Sequence, residues 1–203
     1  MKNIPILPKI LESSQELAEE YLTNKEFSNL TITGYHNYTE IENSLFTFCQ
    51  IQNAIFEGLD ITNVIFKISN LSNLALTSHS YQKILFENCN LTGINFTDSY
   101  LEKIIFKDCN LAYSNLTNTK VKDCQFINCN LKEASLNNMV WKGLEFKDSN
   151  LSEAEFYKTS VNNLDLSTCN IKNIKIDSNN LKGLQVSYDQ AIELSLLLGI
   201  KIK

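Results

Sequence analysis

The cysteines of this 203-residue chain are its most conspicuous reactive residues, because thiolates act as nucleophiles and as metal ligands. Six are present, and five of them recur at multiples of twenty residues: Cys49, Cys89, Cys109, Cys129 and Cys169. A zinc site usually draws its ligands from closely spaced pairs such as CxxC or CxxH, and neither spacing occurs in the sequence. The twenty-residue spacing instead indicates a repeated structure, in which reduced cysteine fills a small inward position.

Two other kinds of residue are candidates for acid–base chemistry. His79 falls where the other repeats carry a small residue, and we predict a local bulge or kink there, since a catalytic base needs a partner in a pocket. Glu145 and Asp165 are expected about 5 Å apart on an exposed flat face, which is a poor setting for catalysis. P-loop, GxGxxG, HExxH and GxSxG motifs do not occur in the sequence. We therefore predict a protein that is not an enzyme and that has no cofactor and no metal site.

The elements that must position these residues follow a period of five. Every fifth residue from Ile41 to Val186 is large and apolar, and a small residue often lies two positions earlier, as in CNLTG and CNLKE. Five is neither the helical period of 3.6 nor the strand period of 2, so the backbone must turn a corner at regular intervals. There is also a second period of twenty residues, at which the same residue type recurs: Phe46, Phe66, Phe86, Phe106, Phe126 and Phe146. Such periods predict a solenoid whose coils stack one on another.

The unit small–polar–large–polar–polar resembles the pentapeptide-repeat family. The resemblance implies an all-β solenoid, a right-handed quadrilateral β-helix with one pentapeptide per side and twenty residues per coil. The segments LTGINFTDSYL, WKGLEF and GLQVSYDQAIELSLLLGI are similar to the loop-less, Qnr-type quinolone-resistance proteins. That similarity implies a dimeric rod that mimics DNA, binds DNA gyrase or topoisomerase IV, and protects the enzyme from fluoroquinolones. The alternative is a non-catalytic scaffold with some other protein partner, because pentapeptide repeats alone say little about function.

We expect three regions along the chain. Residues 1–40 form an N-terminal cap, with a short helix over QELAEEYL that begins at a capping box of Ser13 and Glu16, followed by an irregular segment. Residues 41–186 form the β-helix, and residues 187–203 form a C-terminal helix.

The C-terminal helix begins at a second capping box, made by Ser187 and Gln190, and Gly199 is placed to end it. It serves as a simple cap over the last coil or as a cap that also forms a tail-to-tail homodimer. Apolar residues all round the helix favour the dimer. The candidate interface residues are Ala191, Ile192, Leu194, Leu196, Leu197, Leu198 and Ile200.

Charge narrows the choice of partners. The net charge is −5, from 18 basic and 23 acidic residues, and every basic residue is lysine. Arginine is the usual residue for reading base edges and clamping phosphates, so we expect no direct nucleic-acid binding. Two sides of the coil carry surplus carboxylates, which are either an ordinary solvated surface or a surface for a DNA-binding cleft. The candidate topoisomerase-facing residues are Glu57, Glu87, Asp98, Asp108, Glu145, Asp148, Glu155 and Asp165.

The sequence shows neither a signal peptide nor an apolar run long enough to span a membrane. We therefore expect a cytoplasmic protein without membrane contact.

Overall fold

The fold was analysed in a computed structural model, which describes residues 4–14, 16–17, 20–37 and 39–201. Among these residues, thirteen strands are followed by one short α-helix between two 3₁₀ turns. The bounds are β1 (Glu12–Ser14), β2 (Tyr21–Thr23), β3 (Lys25–Ser28), β4 (Thr31–His36), β5 (Thr39–Glu42), β6 (Leu45–Thr47), β7 (Gln50–Phe56), β8 (Leu59–Lys67), β9 (Ser80–Glu87), β10 (Tyr100–Glu102), β11 (Ile105–Lys107), β12 (Lys120–Ile127), β13 (Val140–Lys147), the 3₁₀ turns Ser178–Asn180 and Leu196–Leu198, and α1 (Tyr188–Ser195).

Coils stack in parallel with a register of twenty residues. Phe66 pairs with Phe86, Phe106 with Phe126, and Leu101 with Val121. Isolated bridges continue the same register where the sides are too short to count as strands, as between Asn110 and Asn130. Each coil presents four large inward residues five positions apart, as Ile61, Phe66, Leu71 and Leu76 do, and these are buried. The predicted all-β solenoid of four-sided coils is confirmed.

The core is a set of stacked columns. The rings of Phe46 and Phe66 lie 4.7 Å apart, and those of Phe106 and Phe126 lie 4.6 Å apart, with both pairs nearly parallel. Full burial of each such side chain contributes about 1.5–3 kcal/mol relative to exposure. No single coil can bury its apolar side alone, so this stabilisation comes from the neighbouring coils.

The corners explain the asparagines of the repeat. The residue two places after each inward residue has a left-handed backbone in nearly every repeat, with φ of 49°, 53° and 56° at Asn43, Asn53 and Asn63. Asparagine, aspartate and glycine tolerate this conformation better than other residues. The residue two places after each inward residue is therefore polar for two reasons: it faces solvent, and its backbone adopts a left-handed conformation.

The N-terminal region differs from the predicted cap. Tyr21 and Leu22, assigned to a helix, lie in β2, and Ser13, assigned as its cap, lies in β1 and pairs with Glu26. Residues 15, 18 and 19 of the predicted helix are outside the described residues. The segment predicted to be irregular forms β4, which pairs with β7.

The physical reason is a coil of nineteen residues. Leu22, Phe27 and Ile32 are buried at five-residue spacing, and each pairs with a residue nineteen positions further on. The missing residue falls after Ile32, where the ladder with β7 shifts register. His36 then stands in the column of Phe56, and the two rings stack at 5.0 Å. A search for an apolar residue at every fifth position therefore misses this coil, although the coil stacks on the next one like the others.

The predicted capping box of the C-terminal helix is confirmed. The Gln190 N–H donates to Ser187 Oγ at 3.4 Å, and the Ser187 N–H donates to Gln190 Oε1 at 2.7 Å. The Gln190 amide also donates to the carbonyls of Leu166 and Cys169, at 3.0 and 2.6 Å. The helix thereby satisfies carbonyl groups of the last coils, which would otherwise be an open edge.

Candidate protein-interaction surfaces

The eight predicted carboxylates lie on two opposite sides of the coil. We call the side whose inward residues include Phe66, Phe86 and Phe106 the phenylalanine side, and the side of Phe96 and Phe156 the opposite side. The phenylalanine side carries Glu87, Asp108, Glu145, Asp148 and Asp165. The opposite side carries Glu57, Asp98 and Glu155. The coil geometry therefore brings the candidates together as two separate groups.

Lysines neutralise part of both groups. Glu87 lies between Lys107 and Lys67, at 2.7 and 3.3 Å, and Glu155 lies 2.8 Å from Lys175. The hydrogen bond from Lys107 holds the pKa of Glu87 below its usual value, and the hydrogen bond from Lys175 does the same for Glu155. These two carboxylates contribute little net charge to their sides.

Three carboxylates at the C-terminal end of the phenylalanine side form what we call the acidic patch: Glu145, Asp148 and Asp165. All three are exposed, and none makes an ion pair with another described residue. Glu145 accepts a hydrogen bond from Gln125 at 2.7 Å. Asp165 accepts one from the Ser167 N–H at 2.9 Å, and hydrogen bonding to Ser167 lowers its pKa. The patch therefore presents three exposed carboxylates that have no lysine partner among the described residues.

The remaining predicted carboxylates are held by neutral donors or lie beside a lysine. Glu57 accepts from the Tyr35 hydroxyl at 2.9 Å, and Asp98 accepts from Asn118 at 3.0 Å. Asp108 accepts from the Asn128 amide at 2.6 Å and lies 3.9 Å from Lys107.

The other two sides are neutral and basic. On the neutral side, an asparagine ladder runs along the rod, with Asn130 donating to Asn110 at 2.9 Å and Asn150 donating to Asn130 at 3.0 Å. The basic side carries exposed lysines around a partly exposed ion pair, in which Lys122 donates to Glu102 at 2.7 Å.

The cysteine column is part of the core. All six thiols are free and buried, and those of Cys89, Cys109 and Cys129 each donate to a backbone carbonyl of the preceding coil, at 3.4 Å. Burial raises the pKa of the Cys124 thiol to about 12. Within the described part of the chain, no group of three or more His, Cys, Asp or Glu residues could hold a metal ion.

The predicted bulge at His79 is wrong. Its carbonyl accepts from the Tyr100 N–H at 2.9 Å, and the strand register runs on without a break from Ser80. The imidazole is partly exposed, and its Nδ1 lies 4.0 Å from Asp60. The coil accommodates a histidine because the imidazole points towards the surface. The sequence pattern, which assigns this position to the interior, did not predict that orientation.

The C-terminal helix keeps most of its apolar surface exposed. Leu194 is buried in the chain's own core and is therefore unavailable to a partner, in contrast to its predicted role. Ile192 and Leu197 are about two-fifths exposed, and Leu196, Leu198 and Ile200 are exposed by half or more. Ala191 is also exposed. None of the helices that the structure describes is long and apolar enough to cross a membrane.

Two family models match the sequence. Residues 79–156 match a model described as a pentapeptide repeat region, and residues 9–112 match one described as a BspA type leucine rich repeat region with six copies. Both models can match the same residues because leucine-rich repeats also have a repeat length of about twenty residues. They also contain a C-x-L element, which occurs here as Cys89-Asn90-Leu91. Leucine-rich units pair a strand with a helix or 3₁₀ turn. The described residues between 9 and 112 contain strands and turns only, so their coils have the pentapeptide geometry.

The fold is also found in solved structures. Full-length QnrB1, described as a plasmid-mediated fluoroquinolone resistance protein, is 20% identical over 93% of this chain and 95% of that chain, with a TM-score of 0.56. The pentapeptide repeat protein Rfr23 from the cyanobacterium Cyanothece 51142 is 20% identical over 61% of this chain and 91% of its own, with a TM-score of 0.43. No curated protein matches the sequence. At 20% identity, the likeness to QnrB1 concerns the fold alone.

Proposed function

Because this chain belongs to the solenoid repeat proteins, with leucine-rich and pentapeptide repeat regions and the β-helical fold of the latter, we propose that it is a non-catalytic binder of type II topoisomerases. It occupies the DNA-binding cleft of DNA gyrase or topoisomerase IV and protects the enzyme from fluoroquinolones. The fold likeness to QnrB1, a fluoroquinolone resistance protein, supports this proposal. The proposed compartment is the cytoplasm, where these enzymes work.

The acidic patch is the observation that carries the proposal. Duplex DNA carries one charge per roughly 1.7 Å of its axis. Residues 41–186, whose coils make a rod of roughly 36 Å, contain 15 acidic and 13 basic residues, so their net charge of −2 gives roughly one charge per 18 Å. Overall charge is therefore too sparse to imitate DNA, and recognition must come from a local concentration of carboxylates that have no lysine partner among the described residues. Glu145, Asp148 and Asp165 provide one.

The other predicted carboxylates have supporting roles in this proposal. Asp98 and Glu57 face the opposite wall of the cleft, while the lysine-paired Glu87 and Glu155 contribute shape more than charge. Asp108 extends the acidic patch along the rod. Salt bridges on exposed surfaces are worth about 0–1 kcal/mol, so binding depends more on the unpaired carboxylates.

The proposal includes a homodimer through the C-terminal helix. The exposed apolar residues of the helix, namely Ile192, Leu196, Leu197, Leu198 and Ile200, form a terminal surface that a second copy would cover. A two-fold dimer of this kind would double the length of the rod and present two acidic patches.

The test is DNA supercoiling by gyrase in the presence of ciprofloxacin, with the purified protein titrated in. We expect supercoiling to be restored, and we expect the triple variant Glu145→Gln, Asp148→Asn, Asp165→Asn to restore less. The matched control is Glu87→Gln, Glu102→Gln, Glu155→Gln, which removes three carboxylates that are already paired with lysines. Equal activity of the two triple variants would show that the acidic patch is not the docking surface. Inhibition without rescue would refute protection and leave a competitor of DNA.

The alternative is a scaffold with an unidentified protein partner. The low charge density and the lysine-paired carboxylates favour it. It predicts that the protein neither restores nor inhibits supercoiling by gyrase from its own host, and that pull-downs recover a different protein.

A further inference from the structure

Three of the buried cysteines lie directly one above another. Cys89, Cys109 and Cys129 occupy the same position in three successive coils, and we call these three residues the thiol ladder. The Asn110 N–H donates to the Cys89 carbonyl at 3.0 Å, and the Asn130 N–H donates to the Cys109 carbonyl at 2.9 Å. The backbone is therefore held in parallel register at the ladder, with neighbouring Cα atoms about 4.8 Å apart.

The side chains of the thiol ladder repeat along with the backbone. Each thiol lies 3.4 Å from the carbonyl oxygen of the inward phenylalanine in the preceding coil. Each also lies 3.3 to 3.5 Å from the carbonyl oxygen two residues earlier in its own coil. Because all three side chains have the same orientation, each sulfur faces the sulfur of the next coil.

Cys109 is the middle member of the thiol ladder and contacts both of the others. Its sulfur is hydrogen-bonded to the thiols of Cys129 and Cys89. These hydrogen bonds lower the pKa of the Cys109 thiol, and burial opposes them. Since the thiolate is the nucleophilic form of cysteine, Cys109 is the member best suited to attack an electrophile.

The other cysteines lack this arrangement within the described part of the chain. Cys49 and Cys169 share the column of the ladder, but the positions between them and the ladder are occupied by Ser69 and Ser149. Cys124 lies in a different column, where the neighbouring positions are apolar. Thiols of successive coils are therefore in contact only at the ladder.

The spacing of the thiol ladder is compatible with a disulfide. Disulfides join cysteines whose Cα atoms lie about 4.4–6.8 Å apart, and neighbouring members at about 4.8 Å fall in that range. Cys89 and Cys129 lie two coils apart, at about 9.6 Å, and cannot be joined directly. The ladder can therefore hold one disulfide at a time, and Cys109 must be part of it. The bond leaves no charge in the core, so no charge has to be buried.

We propose that the thiol ladder is a modification site, at which a peroxide converts Cys109 and one neighbour, Cys89 or Cys129, into a disulfide that links two coils. In the first step the sulfur of one thiol attacks a peroxide oxygen, so that an S–O bond forms and the O–O bond breaks. The leaving oxygen takes up the thiol proton and departs as water.

The second step closes the disulfide. The neighbouring sulfur attacks the sulfenic sulfur, the S–S bond forms, and the S–O bond breaks. The hydroxyl group takes up the second thiol proton and leaves as water. Two thiols are oxidised by two electrons in total, and one hydrogen peroxide is reduced to two water molecules. The three side chains are 2–3% exposed, so the peroxide reaches them when the coils open locally, and the reaction is slow.

The test treats the full-length protein with hydrogen peroxide and then counts free thiols with a thiol-reactive dye in guanidinium chloride. We expect the count to fall from six to four and to return to six after reduction. Serine is the matched replacement for each cysteine, because Ser69 and Ser149 already occupy this column. The Ser149 hydroxyl donates to the Phe126 carbonyl at 3.2 Å, which is the contact that the ladder thiols make one coil earlier.

Single variants identify the bond. Cys109→Ser should keep all five of its thiols, because the remaining two members of the ladder are too far apart. Cys89→Ser and Cys129→Ser should each fall from five thiols to three, since one neighbouring pair remains. Cys49→Ser is the control outside the ladder and should also fall from five to three. Oxidation should raise the urea midpoint of the wild type and leave that of Cys109→Ser unchanged, because a link between coils restricts the unfolded chain.

A wild-type count that stays at six would overturn the proposal. Loss of two thiols from Cys109→Ser would also overturn it, because the bond would then lie elsewhere. Covalent dimers on a non-reducing gel, or thiol loss that reduction does not reverse, would do the same. If Cys109→Ser does not fold, the double variant Cys89→Ser, Cys129→Ser takes its place. It contains no neighbouring pair and should keep all four of its thiols.

Discussion

Tyr81 is the position where the structure makes its sharpest prediction about stability. Its side chain is 1% exposed, in a column whose neighbours are Ile61 and Leu101. The ring packs edge-on against Phe96, with the centroids 5.8 Å apart. The hydroxyl is buried and has no hydrogen-bond partner among the described residues. Burial, with a smaller effect of the Asp60 charge, raises the pKa of the phenol well above its usual range.

The change Tyr81→Phe removes the hydroxyl and keeps the ring contacts. Burying a hydroxyl without a hydrogen bond costs about 1–3 kcal/mol in proteins. The space left by one oxygen reduces the gain, because its neighbours lose van der Waals contacts. We therefore expect the free energy of unfolding to rise by about 1–2 kcal/mol. For a chain of this size, that change raises the Tm by about 2–8 °C.

Urea denaturation followed by circular dichroism measures the effect. The midpoint should move to higher urea with the slope unchanged, since the surface exposed on unfolding is nearly the same. The control is Tyr100→Phe, which removes a hydroxyl that donates to Glu102 at 2.9 Å, and it should leave stability unchanged or slightly lower. A loss of stability in Tyr81→Phe would refute the reasoning, because it would mean that the buried hydroxyl has a favourable partner.

Three further predictions concern the core and the surface ladders. Ser114→Ala should raise the free energy of unfolding by about 1 kcal/mol in the same urea assay, because its buried hydroxyl has no partner among the described residues and Ala134 fills the equivalent position one coil on; a lower midpoint would contradict this. Leu111→Asp buries a charge in the middle of the stack and should abolish the cooperative thermal transition; melting like wild type would mean that Leu111 does not point inward. Glu87→Gln should lower the Tm slightly at neutral pH, because the hydrogen bond from Lys107 lowers the folded pKa of Glu87. This stabilisation is present above the unfolded pKa and is lost as the pH falls through the folded pKa, so the difference in Tm should shrink as the pH is lowered. A difference in Tm that stays constant with pH would exclude this ion pair as its cause.

The stacking of coils was predictable because it depends on residue types that recur every five and every twenty positions. Phe66 and Phe86 are twenty residues apart, and an apolar residue at every fifth position can be buried only if the chain turns four times per coil. The start of the C-terminal helix was predictable for a similar reason, since the capping box of Ser187 and Gln190 is a local interaction. Both signals are periodic or short in range.

What the sequence could not determine depends on contacts between distant segments. The nineteen-residue coil escaped a count of five, although Phe27 stacks on Phe46 with the rings 4.4 Å apart. The pairing of Glu87 with Lys107 depends on which outward residues become neighbours and on the rotamers they adopt. The docking of Ile6 on Asn63 joins residues that are 57 positions apart.

The sequence by itself determined the repeat, the four inward columns and the helix that closes one end, because periodic burial and local capping need no knowledge of remote contacts. Only the tertiary structure decided which carboxylates and which buried hydroxyls have no partner among the described residues, and that Ile6 is hydrogen-bonded to Asn63. Each of these depends on the relative placement of side chains from different coils, and a few tenths of an ångström decide whether a hydrogen bond or ion pair forms.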